Sequence, residues 1–102
     1  MRRGEVWWYE DPEEPPRPWV ILTRNEAIDG LEKILAAPAT RTIRNIQTEV
    51  RIGRDEGMPQ ECVISLDNIT PIVKALLIES ITTLGPEKMQ EVCRALNVSV
   101  DC

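Results

Sequence analysis

The chain contains no histidine. That removes every arrangement in which an imidazole activates a serine or cysteine, every histidine-paired nuclease site and every histidine metal ligand. Paired cysteines are missing too. Cys62, Cys93 and Cys102 lie far apart, so neither a zinc cluster nor a disulfide framework is suggested. Cys62 and Cys93 read as reduced core residues, and Cys102, the last residue, as frayed and exposed. No metal or cofactor is expected. No apolar run approaches the roughly eighteen residues of a membrane span, and Met1-Arg2-Arg3-Gly4-Glu5 has no apolar segment behind its charges. The expectation is a cytoplasmic protein with no membrane partner. An excess of positive charge is also lacking: the formal net charge is −5. This argues against a generic nucleic-acid coat protein, because non-specific affinity comes mainly from neutralising phosphates, while Arg41, Arg44, Arg51 and Arg54 leave room for a local basic face on an acidic chain.

What is present fits one compact core. With 102 residues, 42% of them hydrophobic, the chain can bury a single core but not two, so one domain over 1–102 is expected. Glu5-Val6-Trp7-Trp8-Tyr9 is aromatic and β-prone, and it stops at the acidic, proline-rich run Glu10-Asp11-Pro12-Glu13-Glu14-Pro15-Pro16. Trp19-Val20-Ile21-Leu22-Thr23 is too short for a helix and reads as a strand buried on both faces. Residues 25–30 form a polar connection with one helical turn. Residues 34–37 read as a third strand ending at Pro38, which cannot donate to a ladder. Ile46, Thr48, Val50 and Ile52 alternate with Gln47, Glu49 and Arg51, the period of a half-buried strand. A turn over 53–59 leads into Cys62-Val63-Ile64-Ser65-Leu66, and 78–84 gives a further strand. After Gly85, Pro86 suits a helix start, and Met89, Val92, Cys93 and Leu96 recur at helical spacing. Short strands followed by one C-terminal helix predict an α+β domain built on a strongly curved, barrel-like antiparallel sheet.

The signposts, taken in order, resemble the MazF/PemK toxin family. Arg3-Gly4-Glu5-Val6-Trp7 resembles that family's R-G-D/E-I/V-W/Y opening, and Arg17-Pro18-Trp19-Val20-Ile21-Leu22 resembles its R-P-x-V/L-V/I-L/I second strand. Residues 34–50 resemble its apolar strand, threonine-containing loop and T-E/H-V strand. Met58-Pro59-Gln60-Glu61-Cys62-Val63 is similar to its L-P/R-x-D/E-S/C-V turn, and Asp67-Asn68-Ile69 to the strand entrance beyond it. Ile81-Thr82-Thr83-Leu84 and 86–96 resemble its closing strand and helix. Each motif is short, but their order spans nearly the whole chain. The resemblance implies an SH3-like curved sheet with a C-terminal helix, a homodimer, metal-independent cleavage of single-stranded RNA, and neutralisation by a MazE-like antitoxin. Two departures stand out. Residues 11–16 are short, acidic and proline-rich where the family has a longer, glycine-rich loop that gates the groove, and Gln47 replaces a frequent proline.

RNA is cut without metal when its own 2′-hydroxyl attacks the adjacent phosphorus. The protein must then handle two protons and stabilise the phosphorane charge. By the resemblance, Arg17 is the catalytic arginine. Its planar guanidinium can bracket two phosphoryl oxygens, whereas the family aside it would read as a loop cation paired with Glu13 or Glu14. Thr40 matches the active-site threonine, with Thr42 the alternative at one residue of slack. Arg41 and Arg44, in the same loop, are candidate phosphate contacts or, equally, solvated arginines. Trp7 and Trp19 read as core. Trp8, on the other side of its strand, is the better base-stacking platform or dimer contact. Asp67 and Asn68 are candidates for reading a base edge, beside the commoner reading of a strand-end turn. Two alternatives to a ribonuclease remain: a toxin of the same fold that acts by binding a protein, as gyrase poisons do, and a catalytically silent module that only binds antitoxin. The short acidic loop supports the latter.

Overall fold

The computed structural model describes residues 1–101; Cys102, expected to be frayed, lies outside the described residues. β1 (Glu5–Tyr9) and β2 (Arg17–Ile21) pair antiparallel, with Trp7 opposite Trp19 and Trp8 opposite Pro18. The helical turn α1 (Asn25–Ile28) follows, its last carbonyls accepting from Lys74 Nζ. Then come β3 (Lys33–Thr40), β4 (Glu49–Ile52), β5 (Cys62–Ser65), β6 (Thr70–Val73), β7 (Leu77–Thr83) and the long helix α2 (Pro86–Val100). The sheet order is β4-β5-β3-β2-β1-β7. β3 is its pivot: β2 runs along one edge, while the other edge pairs first with β6 and then with β5. This change of partner curves the sheet, which stays open rather than closing into a barrel.

Period-two alternation sends side chains into two cores. Val6, Val20, Ala37, Ala39, Val50, Ile52 and Ile64 face α2, which contributes Val92 and Ala95. Tyr9, Trp19, Ile21, Ile34 and Ala36 fill the opposite face beneath Ile28, Ile72 and Leu77. Because β2 feeds both, its apolar run is unbroken. Trp7 also packs on the second core, half-buried, with its indole N–H donating to Glu5 Oε1 at 2.9 Å. The opening Arg3-Gly4 pair joins the layers. Gly4 has φ of +91°, a left-handed conformation that favours glycine, and it bonds to Ile21 on one side and Leu84 on the other. Arg3 reaches the Leu22 carbonyl and the Cys93 thiol of α2.

Three expectations are corrected. β3 does not end at Pro38 but runs through it to Thr40. The Leu22 N–H bonds to the Leu35 carbonyl, so antiparallel alternation makes Val20 and Ala37 the next bonded pair and leaves Pro38 unbonded toward β2. Its missing donor falls between the last β6 partner of β3, Ala36, and the first β5 partner, Ala39. Second, the alternating segment is strand only from Glu49. Ile46 is exposed, and the Glu49 N–H folds back onto the Ile46 carbonyl in a turn that follows Asn45, whose φ is +56°. Third, α2 continues past Leu96 to Val100, where Asp101 in the left-handed region terminates it.

Candidate active site

A cleft of about 300 Å³ opens at one end of the α2-facing layer. It is lined by Trp8 from β1, Pro16, Arg17 and Pro18 at the start of β2, residues 39–42 at and just beyond the end of β3, Met58, Pro59 and Gln60 from the β4–β5 connection, and Cys62, the first residue of β5. Sequence-distant motifs thus meet because β1, β2 and β3 are neighbours and β5 pairs with the last residues of β3.

The cleft is cationic. Its charged lining residues are Arg17 and Arg41, with no carboxylate among the lining. Arg17 is flanked by Pro16 and Pro18, which fix the backbone on either side of it. It makes no ion pair with Glu13 or Glu14; the one ion pair among the described residues joins Lys88 and Glu91. Thr40 is half-buried at the strand end, and its Oγ1 accepts the Thr42 backbone N–H at 3.3 Å. That bond occupies a lone pair and leaves the hydroxyl hydrogen available for donation. Thr42 is exposed.

The far wall rests on a braced turn. The 3-10 turn Arg54–Glu56 ends at Gly57, whose φ is +92°. Thr82 Oγ1 donates to the Glu56 carbonyl at 2.7 Å, Glu56 accepts the Gly53 N–H, and Glu61 accepts the Arg54 N–H. Cys62 is buried, and burial, with Glu61 and Glu56 adding to it, pushes its thiol up. It serves as a neutral wall, not a nucleophile.

The residues singled out from the sequence separate into two groups. Trp8, Arg17, Thr40, Arg41 and Thr42 come together in the cleft. Arg44, Asp67 and Asn68 lie outside its lining. Arg44 is exposed on the loop, where its backbone N–H bonds to Glu49. Asp67 accepts from the Thr48 hydroxyl at 2.6 Å and Asn68 donates to Ser65 Oγ at 2.7 Å, so both are engaged in holding the strand-end turn. Sequence reasoning passed over Gln60 and Glu49. Gln60 lines the cleft. Glu49 Oε1 accepts the backbone N–H groups of Arg44 and Asn45 at 2.9 and 3.1 Å, pinning the loop that carries Arg41 and Thr42. Its alternation with Val50 disguised it as an ordinary outward-facing strand residue.

Fold and cleft together define a small SH3-like domain with a cationic groove at its strand ends. The family of PemK-like, MazF-like toxins of type II toxin-antitoxin systems matches residues 2–100, and the chain belongs to it. Among curated relatives, the probable endoribonuclease MazF5 of Mycobacterium tuberculosis is 40% identical over 98% of this chain and 93% of its own. The probable endoribonuclease MazF2 of the same species is 33% identical over the full length of both. Among solved structures, a mycobacterial endoribonuclease in complex with its cognate antitoxin superposes with a TM-score of 0.90 at 25% identity, over 99% of this chain and 95% of that one. The Mycobacterium tuberculosis toxin MazF-mt6 gives 0.87 at 28% identity, over 95% and 96% respectively.

Proposed function

We propose that the chain is a single-domain toxin of a type II toxin-antitoxin pair, an endoribonuclease that cuts single-stranded RNA at this cleft. The observation that carries the reading is the meeting of Arg17 and Thr40, from separate strands, in one cationic, carboxylate-free groove. In the reaction the RNA 2′-oxygen bonds to the adjacent phosphorus and the bond from phosphorus to the 5′-oxygen breaks. The products are a 2′,3′-cyclic phosphate and a 5′-hydroxyl, with the 2′ proton lost to solvent and one gained by the leaving oxygen. Arg17 brackets the non-bridging oxygens as negative charge grows on them, and the Thr40 hydroxyl donates to one of them. Arg41 supplies further positive charge along the strand. Thr40 takes this role rather than Thr42 because it sits on a strand paired with β5 and its oxygen is oriented by the Thr42 backbone N–H, whereas Thr42 is exposed beyond the strand end.

The toxin acts as a homodimer in the cytoplasm, and no helix among the described residues is long and apolar enough to cross a membrane. A MazE-like antitoxin lays an extended tail along the groove and folds on binding. Charge reversal at Arg41, Arg44 and Arg51 weakens both antitoxin and RNA binding on this reading. The decisive experiment is cleavage of mixed-sequence single-stranded RNA in EDTA by wild type, Arg17→Ala and Thr40→Ala. Discrete cuts by the wild type and none by folded variants support the ribonuclease. A wild type that does not cut, or variants that cut equally well, returns the assignment to a protein-binding module.

A further inference from the structure

Within the cleft lining, Arg17, Arg41, Thr40 and Thr42 supply charge and hydroxyl groups suited to phosphate, while Met58 and Cys62 are buried and apolar. Gln60 is different. It is the one lining side chain that carries both an amide donor and a carbonyl acceptor. It is exposed, and no hydrogen bond engages its carboxamide among the described residues. Its backbone lies between Pro59, whose ring fixes φ, and Glu61, whose carboxylate is turned back onto the Arg54 N–H. The preceding bend is locked by left-handed Gly57 and the Thr82 bond to Glu56. A free amide on a braced backbone is suited to reading, because little ordering is needed when it binds. Trp8, half-buried, lines the same cleft from β1. An indole face can stack on an unpaired base of any sequence. It therefore supplies affinity without discrimination, and the amide must supply the choice.

Resting on the ribonuclease reading, we propose that Trp8 and Gln60 form a subsite for one unpaired adenine of the RNA. The base stacks on Trp8. The Gln60 carbonyl accepts from the adenine N6 amino group and its amide N–H donates to N7, the bidentate match between glutamine and adenine. On that edge guanine offers two acceptors and would leave the Gln60 carbonyl unpaired. With the arginines and threonines occupied by phosphate, Gln60 sets this position of the recognised sequence.

The test uses the full chain with a randomised RNA pool, sequencing the fragment ends from wild type, Gln60→Ala and Gln60→Glu, each verified as folded by thermal melting. Wild-type cuts share adenine at one position near the scissile bond. Gln60→Ala flattens the preference there by about 5- to 150-fold, the discrimination worth of one bidentate pair. Gln60→Glu, which can only accept, moves it toward cytosine, whose N4 amino group donates, and preferences at other positions hold. The same preference in all three proteins overturns the subsite, as does a base other than adenine at the position that changes. A parallel selection with a 2′-O-methyl RNA pool, which cannot be cut, keeps the two readings separable. If the wild type retains adenine-bearing RNA more than Gln60→Ala does but cuts nothing, the subsite stands and the ribonuclease falls. If it cuts but selects without regard to Gln60, the reverse holds.

Discussion

Glu49 is the clearest case of a residue whose loss should separate loop order from catalysis. Its Oε1 accepts two successive N–H groups, of Arg44 and left-handed Asn45, while Oε2 is buried with no partner among the described residues. The same Asn45 is held from the other side by Arg51, whose Nη2 donates to Asn45 Oδ1 at 2.9 Å. A hydrogen bond to a charged group contributes about 1.5–3 kcal/mol, so the two together hold the loop by roughly 3–6 kcal/mol if its amides have no other acceptor. Those amides lie near the surface and water can replace the carboxylate for part of that. Removing Oε2 also relieves an unpaired buried oxygen, which costs about 1–3 kcal/mol. The net expectation for Glu49→Ala is a loss of about 1–3 kcal/mol. Glu49→Gln keeps a neutral acceptor of roughly half the strength and should lose about 1 kcal/mol. Because the loop carries Arg41 and Thr42 into the cleft, cleavage should fall more steeply than stability, by tens of fold in Glu49→Ala, since misplacing a site by about 1 Å can cost 100-fold. Urea unfolding gives the first number and single-turnover RNA cleavage the second. An alanine variant within about 0.5 kcal/mol of wild type that cuts at the wild-type rate would refute the loop-pinning argument.

Other substitutions probe other supports of the same site. Gly57→Ala forces a side chain into the left-handed region and sets its Cβ 2.5 Å from Thr82 Oγ1. Strain of about 1–2 kcal/mol plus the lost Thr82 bond to Glu56 should destabilise by roughly 2–3 kcal/mol, read as a lower melting temperature. Glu5 gives an acid-dependent signature. Burial raises its carboxyl pKa, but the Trp7 indole, the Arg2 backbone N–H, the N-terminus and the Arg2 side chain together bring it below its ordinary value. Its contribution is therefore complete above the unfolded pKa and is lost as pH falls through the folded one. The stability gap between wild type and Glu5→Gln should therefore narrow as pH falls below the ordinary carboxyl value of 4.5, and be constant above it, in urea melts. Cys62, its thiol held neutral by burial, should react with iodoacetamide at pH 8 far more slowly than a free cysteine, as mass spectrometry would show.

Most of the fold was legible because local pattern and tertiary environment agree. The aromatic run at β1, the doubly buried run at β2 and the apolar stripe of α2 each name their own burial. The errors fall where a local rule met a tertiary exception. Pro38 is tolerated within β3 because the strand changes partners at that point, which no local signal records. The alternation at 46–48 is broken by Asn45 and by the carboxylate that captures the loop, so Ile46 is exposed despite its register. β6 was visible only as the continuation of a family motif, because Thr70-Pro71-Ile72-Val73 is short and carries a proline, and its partner β3 lies far away in sequence.

The site divides along similar lines. Arg17, Thr40 and Arg41 were reached through motif context, since nothing intrinsic distinguishes them from turn residues. Gln60 and Glu49 were not, because their significance lies in what their backbones and carboxylates touch. The short acidic loop gains a different meaning once it is placed. Asp11 accepts the Glu13 N–H through its side chain and the Glu14 N–H through its carbonyl, making a compact turn instead of a mobile gate. Pro16, at its end, forms cleft wall and precedes Arg17, while Pro18 follows it opposite Trp8. A guanidinium whose backbone is fixed on both sides loses less freedom on engaging phosphate than one on a flexible loop. The loop that argued for a silent module thus favours a preset one. Its carboxylates repel the RNA over a distance that salt shortens, about 10 Å at 0.1 M, whereas the benefit of a preset arginine does not depend on salt. A balance of this kind predicts that moderate salt relieves the repulsion before it weakens the Arg17 contact, so cleavage should peak at intermediate ionic strength. Replacing Asp11, Glu13 and Glu14 together by asparagine and glutamine should move that peak to lower salt, and an unmoved peak would assign the repulsion to charges elsewhere on the chain.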